Sequence, residues 1–265
     1  MSVDVHFLVN PIAGRGPRRA IIKRALARLH AASWRGHVHD TCRPGHAIKI
    51  CRQIPRHHRA VVVCGGDGTV REAAAGLAGS GLPMAVLPAG TENLTARVMG
   101  YRADADFLSR LLFTGHARPV DLLRAGQHIF LVVAGVGFDA EVVAHLARRR
   151  RRHVSYATYL IPFTQTWLGH RFPSFRVFAD GKEVFTGRGL AFIGNMARYA
   201  LGLRILDRAR WDDGRADLCV YPCSSRLALL RHAWNTARRR HLVTGRCVYG
   251  QFRHISITSD APAAV

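Results

Sequence analysis

The sequence has 265 residues, enough for one large core or two modest ones, and its 48% apolar and 21% charged residues exclude a disordered polar chain. Against 17 Asp and Glu stand 39 Lys and Arg, a net charge of +22 that attracts nucleic acid, anionic membrane surfaces or phosphorylated substrates; an arginine-favouring codon bias would give part of the same excess. The start, MSVDVHFLVNPIAG, lacks a signal-peptide pattern, and no stretch approaches the ~20 apolar residues of a membrane span, so a cytoplasmic protein that can touch the inner face of a membrane is expected.

Six cysteines (Cys42, Cys51, Cys64, Cys219, Cys223 and Cys247) form neither a zinc pattern nor a disulfide framework and are expected to be reduced. In chain order, Val3–Val9 reads as a strand and Pro17–Ala31 as a helix, with Ile21, Ile22, Ala25, Leu26 and Leu29 at helical spacing. Gly36–Asp40 follows as a strand, Gly45–Gln53 as a helix, Ala60–Cys64 as a strand, Val70–Ala78 as a helix, Met84–Leu87 as a strand and Leu94–Met99 as a helix. This β-α alternation predicts an α/β N-terminal domain with a parallel Rossmann-like sheet over residues 1–119. Beyond Pro119 the texture changes to strand-like runs: Val120–Arg124, His128–Ala134, Phe175–Ala179, Gly189–Gly194, Asp217–Tyr221 and His254–Thr258. Helical segments Ala140–Ala147, Tyr156–Leu168 and Leu227–Arg240 interrupt them, and turn pairs such as Asp180-Gly181 and Asp213-Gly214 predict a β-rich, antiparallel, sandwich-like C-terminal domain over 120–265.

The most informative segment is AVVVCGGDGTVREAAAGL, where a β-branched strand runs into Gly65, Gly66, Asp67, Gly68 and Thr69 and then a helix. Glycines there allow positive φ and close approach to a ligand, and the helix N-terminus favours an anion. Asp67 would repel a bare phosphate and so points to Mg²⁺ beside a nucleotide; the alternative is a tight turn in which Asp67 caps the helix. Asn10–Gly16 after the first strand and Pro88–Asn93 after the Met84 strand leave the same edge of the expected sheet, with Thr91 able to cap the following helix. Ligands of open parallel sheets bind beyond the carboxyl ends of the strands, where these loops would gather.

The series NPIAGRG, VVCGGDGTVREAAAGL, VLPAGTENLTARVMG, PVDLLRAG and AGVGFDAEVV closely resembles the diacylglycerol-kinase catalytic-domain family of lipid kinases. FADGKEVFTGRGLAFIGN and ILDRARWDDGRADLCVY extend the resemblance over nearly the whole chain; NAD kinases and phosphofructokinases share only a related glycine loop. The resemblance implies ATP at the carboxyl edge of the first domain, in its cleft with the second. Asn10 and Thr41 would line the nucleotide site, with Gly65, Gly66, Asp67, Gly68, Thr69, Val70 and Arg71 around the phosphates and Gly90, Thr91 and Asn93 on the other side. It also implies Asp67 as a magnesium and catalytic carboxylate, Asp121 in the same cleft, and Asp213 in a structural magnesium loop; a solvated turn is the alternative at Asp212-Asp213-Gly214. The expected reaction is transfer of the γ-phosphoryl group of ATP, with Mg²⁺, to a lipid hydroxyl.

Two departures accompany the resemblance. Glu92-Asn93-Leu94 replaces the usual A-N-D, and the sequence ends before the D-G-E motif that supplies the family's general base, so a truncated C-terminal domain, a catalytically weak ATP-binding relative and a kinase that uses another acid such as Asp121 are also expectations. The basic runs Arg148–His153 and Arg238–His241 read as solvated surface or as contacts to an anionic bilayer. Tyr156, Tyr159, Phe163 and Trp167 form a helical aromatic face that suits core packing or membrane insertion. Charge alone, without a recognisable module, does not make a nucleic-acid binder, and the sequence carries no signal for oligomeric state.

Overall fold

The computed structural model describes residues 3–13, 18–149 and 156–260, with side chains 147–160 outside the description. Two compact units meet in sequence between Phe130 and Leu131. The first contains β1 (Val3–Val9), α1 (Arg18–Ala31), β2 (Trp34–Asp40), α2 (His46–Gln53), β3 (Ala60–Gly65), α3 (Asp67–Leu77), β4 (Met84–Pro88), α4 (Leu94–Met99), α5 (Ala105–Thr114), β5 (Leu123–Ala125) and β6 (His128–Phe130). Its sheet is wholly parallel in the order β2-β1-β3-β4. The central strand β3 is buried at every position, which explains its unbroken apolar run.

On one face, Val5, Phe7, Val62 and Leu87 pack against Ile22, Ala25 and Leu29 of α1 and Leu108 and Leu112 of α5. Helices α2 and α3 pack together, close enough that a Cβ on Gly76 would fall 2.7 Å from Cys51 Cβ. Helix α5 is absent from the reading above, although Asp104 announces it by accepting a hydrogen bond from Phe107 N at 2.6 Å. The β5–β6 hairpin is held to α3 by Arg71, whose Nη1 donates to the Ile129 carbonyl at 3.4 Å, so the hairpin lies with the first unit rather than beyond a boundary near residue 120.

The second unit contains β7 (Val133–Val136), α6 (Phe138–Arg149), α7 (Tyr156–Gly169), β8 (Ser174–Ala179), β9 (Lys182–Gly194), β10 (Ala216–Pro222), α8 (Arg226–Ala237), β11 (Val248–Phe252) and β12 (Ile255–Ser259). All its pairings are antiparallel, in the order β11-β10-β9-β8-β12, with β7 also on β9. The long β9 pairs with β8 through its first half and lies between β10 and β7 through its second. The change comes at Gly187 (φ 139°) and Gly189, where a Cβ would fall 2.6 Å from the Tyr221 carbonyl oxygen. One apolar cluster, with Phe175, Val177, Leu218 and Val220, fills the sandwich, and a second joins Phe192, Cys219 and Tyr221 to Phe138 and Val142 of α6.

Several boundaries differ from the sequence reading. Val120–Arg124 becomes a strand only from Leu123, and His128–Ala134 is two strands, because β6 pairs with β5 and β7 with β9. Strand β11, which runs unbroken through Gly250, is additional. Among the described residues no helix is long and apolar enough to cross a membrane.

Candidate active site

The carboxyl ends of the parallel strands bring the expected loops to one edge by backbone bonds alone. Thr41 N donates to Val9 O (2.8 Å), Asn10 N to Cys64 O (2.9 Å) and Ala89 N to Gly65 O (2.9 Å), so each loop starts as a continuation of the ladder. The Asn10 side chain then bridges loops: Nδ2 donates to Thr69 Oγ1 at 2.9 Å and Oδ1 accepts Ile12 N at 3.2 Å. Gly14, Arg15 and Gly16 of this loop lie outside the described residues.

Gly65, Gly66 and Gly90 at this edge serve close packing rather than positive φ. None of Gly65, Gly66, Gly68 and Gly90 has a left-handed backbone, and Gly66 is extended at φ −90°, ψ −178°. A Cβ on Gly65 would lie 2.6 Å from Thr69 Cβ, and one on Gly90 would lie 2.6 Å from Gly66 Cα. The β3–α3 and β4–α4 loops therefore touch backbone to backbone. Helix α3 starts at Asp67 with no side chain capping it, Gly68 is exposed, and a Cβ there would meet nothing within 4 Å. Thr69 N and Val70 N bond the Gly66 carbonyl (3.0 and 3.1 Å), but no side chain covers the end, so the positive end of the helix dipole faces outward at Gly68, the arrangement that receives a phosphate.

Asp67 stands in the first turn of α3 but caps a different helix. Its Oδ2 accepts Leu94 N (3.0 Å) and its Oδ1 accepts Thr95 N (3.1 Å), the first amides of α4. The cap position of α4 is Asn93 rather than Thr91; Asn93 is left-handed at φ 49°, and its amide closes on Gly90, accepting Gly90 N at 2.6 Å and donating to Gly90 O at 2.8 Å. Asn93 shapes the loop with both ends of its side chain. Glu92 pairs with Arg97 Nη1 at 3.6 Å.

Each Asp67 oxygen keeps acceptor capacity beyond its backbone bond. One carboxylate with nucleotide phosphates and water is a usual Mg²⁺ environment. Among the described residues no three His, Cys, Asp or Glu side chains converge on a metal-sized point. The donors fit a magnesium carried by a nucleotide, not one caged by protein.

Val70 is buried on the inner face of α3, Arg71 reaches β6, and Thr41 and Thr91 are half-buried in their loops. Asp121 is half-buried just before β5 in the first unit. One cation is absent from the sequence reading: Arg18, in the first turn of α1, donates from Nη1 to Ala13 O at 2.5 Å. Burial lowers its pKa, and burial likewise pushes the nearby Cys64 thiol up to about 12, with Arg18 opposing, so that thiol is neutral. The signal was available, since a first turn with arginines and no acid opposes the helix dipole unless an anion is near.

In the second unit, Asp213 accepts Arg215 N (3.1 Å) and Gln251 Nε2 (3.3 Å), and the same Gln251 nitrogen donates to Asp217 at 3.2 Å. Asp217 is fully buried on β10 and also accepts from the Tyr249 hydroxyl. Burial raises its pKa, the hydrogen bonds from Tyr249 and Gln251 oppose that, and the Asp213 charge adds to it. No local pattern singles out this second carboxylate, since β10 is buried at every position from Ala216 to Tyr221 and shows no alternation.

Residues 4–125 match the diacylglycerol kinase catalytic domain, and residues 131–265 match the YegS C-terminal NAD kinase beta sandwich-like domain. A diacylglycerol kinase of Mycobacterium tuberculosis is 31% identical over 84% of this chain and 75% of its own length. The chain belongs to the diacylglycerol kinase catalytic-domain family. A Staphylococcus carnosus diacylglycerol kinase is 24% identical over 98% of the chain and 86% of its own. A crystal structure of a diacylglycerol kinase from Bacillus anthracis shares the fold at TM-score 0.71 and 21% identity, covering 98% of this chain and 87% of that one. Family membership supports a phosphotransferase function of the kinase type in general.

Proposed function

We propose that this protein transfers the γ-phosphoryl group of ATP to the hydroxyl of a lipid of the diacylglycerol or long-chain-alcohol type, working at the inner face of a membrane. The observation that carries the reading is the N-terminus of α3, which no side chain caps, beside the backbone contact of Gly66 with Gly90. The α3 end and Gly68 receive the phosphates, Arg18 supplies positive charge from the first turn of α1, and Asn10 and Thr41 border the nucleotide. Asp67 would hold the magnesium, which when bound neutralises developing phosphate charge. Asp121 is the acid assigned to orient the acceptor hydroxyl, and Asp213 with Asp217 the pair suited to a structural cation.

A second reading, ATP binding with little transfer, draws on the engagement of both Asp67 oxygens with α4. Transfer of label from γ-labelled ATP to diacylglycerol, sphingosine-like and monoacyl acceptors in mixed micelles separates the two. Labelled lipid that disappears in Asp121→Asn supports the kinase. ATP-dependent thermal stabilisation without labelled lipid would establish the second reading.

A further inference from the structure

Helix α8 presents an apolar stripe that the fold leaves uncovered. Leu227, Leu230 and Trp234 recur at helical spacing and are 78%, 54% and 62% exposed. The opposite side anchors the helix: His232 Nε2 bonds the Pro222 carbonyl at 2.9 Å, the Thr236 and Tyr221 hydroxyls meet at 2.8 Å, and Leu229 packs on the cluster around Phe192. Leu168, 73% exposed at the end of α7, extends the stripe, because the Arg226 guanidinium donates to the carbonyls of Trp167 (2.7 Å) and Leu168 (2.6 Å).

The surroundings of the stripe are cationic throughout. Arg231, Arg238, Arg239 and Arg240 are exposed, and the Arg238 guanidinium lies over the Trp234 ring, 4.8 Å from its centroid. His241, by contrast, is buried with Nε2 on the Ile205 carbonyl, so the basic run ends at Arg240. Between Asp217 and Asp260 the sequence has no acidic residue. Beside the helix, Arg231 and Arg246 border a depression of about 370 Å³ that Pro222 and Cys247 also line.

Charge decides what covers this face. A second copy would set arginine against arginine, and a nucleic acid would leave Leu227, Leu230 and Leu168 in contact with phosphate and water. An anionic bilayer matches both features, with apolar side chains entering the headgroup–acyl boundary and guanidinium groups meeting lipid phosphates. We propose that α8, with Leu168, is the membrane-docking face of this protein and that the depression between Arg231 and Arg246 receives a phospholipid headgroup. The proposal deepens the lipid-acceptor reading and rests on it for its purpose, but docking is measurable without ATP.

The test is co-sedimentation of the full chain with phosphatidylcholine vesicles with and without phosphatidylglycerol. Wild type binds the anionic vesicles, and Leu227→Gln/Leu230→Gln/Trp234→Gln weakens binding by at least about tenfold, as expected when an interfacial helix loses its apolar face. Arg231→Glu/Arg238→Glu abolishes the preference for phosphatidylglycerol and its sensitivity to salt. Brominated lipid quenches the wild-type tryptophan emission, and Trp234→Phe removes that quenching. All these residues are exposed, so unchanged melting temperatures establish that the variants fold. Triple-variant binding equal to wild type, quenching that persists in Trp234→Phe, or a stripe that governs self-association instead of vesicle binding overturns the docking face. Absence of phosphotransfer to every lipid, with vesicle binding intact, counts against the acceptor reading alone.

Discussion

Gly66 and Gly90 are in backbone contact, so close that a Cβ on Gly90 would sit 2.6 Å from the Gly66 Cα while a Cβ on Gly66 would sit 3.1 Å from the Gly90 Cα. The neighbour in each case is main chain, which cannot rotate away. Gly90→Ala is expected to destabilise the protein by about 1–3 kcal/mol, the usual cost of overpacking, and to abolish stabilisation by MgATP. Gly68→Ala is the counterpart: its Cβ enters open space, so urea denaturation gives stability equal to or slightly above wild type while MgATP stabilisation falls.

The two bonds from Asp67 to α4 predict that this carboxylate is structural as well as chemical. Asp67→Ala leaves the amides of Leu94 and Thr95 without their acceptor, at a cost of about 1–3 kcal/mol. Hydrogen exchange at Leu94 and Thr95 should accelerate in the variant. Unchanged exchange at both amides would show that any loss of activity comes from the charge and not from the loop.

Tyr249→Phe removes a hydrogen bond to a buried carboxylate and leaves Asp217 with Gln251 as its remaining side-chain donor in the cluster. The expected loss is about 1–3 kcal/mol at neutral pH. Burial raises the Asp217 pKa, so protonation as the pH is lowered relieves the unpaired charge earlier than for an ordinary carboxylate, and the difference from wild type should shrink with falling pH. Equal destabilisation at both pH values would exclude Asp217 as the cause.

Four histidines meet on β1, β2 and the loop before β3. His6 Nδ1 and Nε2 bond His39 (2.9 Å) and His58 (2.6 Å), and His37 bonds Asp4 at 2.6 Å. Burial, then repulsion from His37, His39 and His58, lowers the His6 pKa to about 4, with Asp4 opposing; burial and His37 also lower that of His39. The unfolded chain binds a proton near pH 6.5 that folded His6 refuses until about pH 4. Stability should therefore fall as pH drops through that window and be indifferent to His6 above it. His6→Phe, which keeps a flat ring, is expected to flatten the dependence of melting temperature on pH between 6.5 and 4. The hydrogen bond from His37 lowers the Asp4 pKa, so Asp4 contributes only a separate loss in stronger acid, below its ordinary value of 3.8.

Much of the fold was legible because its signals are local. An apolar run ending in glycines marked β3, helical spacing marked α1, and turn glycines marked the antiparallel unit. Helix α5 had a readable signal in Asp104 followed by Leu108, Leu111 and Leu112, and the alternation of His37 and His39 marked one face of β2. The aromatic face of α7 could not be resolved from spacing, since Trp167 stacks on Phe163 and meets Phe138 while Phe163 is itself partly exposed.

By itself the sequence determined the β-α order, the antiparallel character of the second unit and the three loops expected at one sheet edge, because each depends on periodicity or turn chemistry within a few residues. The tertiary structure alone decided that Asp67 caps α4 rather than α3, that Gly66 and Gly90 exclude side chains from each other, and that Asp217 stands behind Asp213. These are meetings between residues distant in sequence. Strand order and register bring them together, and no local pattern records which distant backbone a glycine or a carboxylate will face.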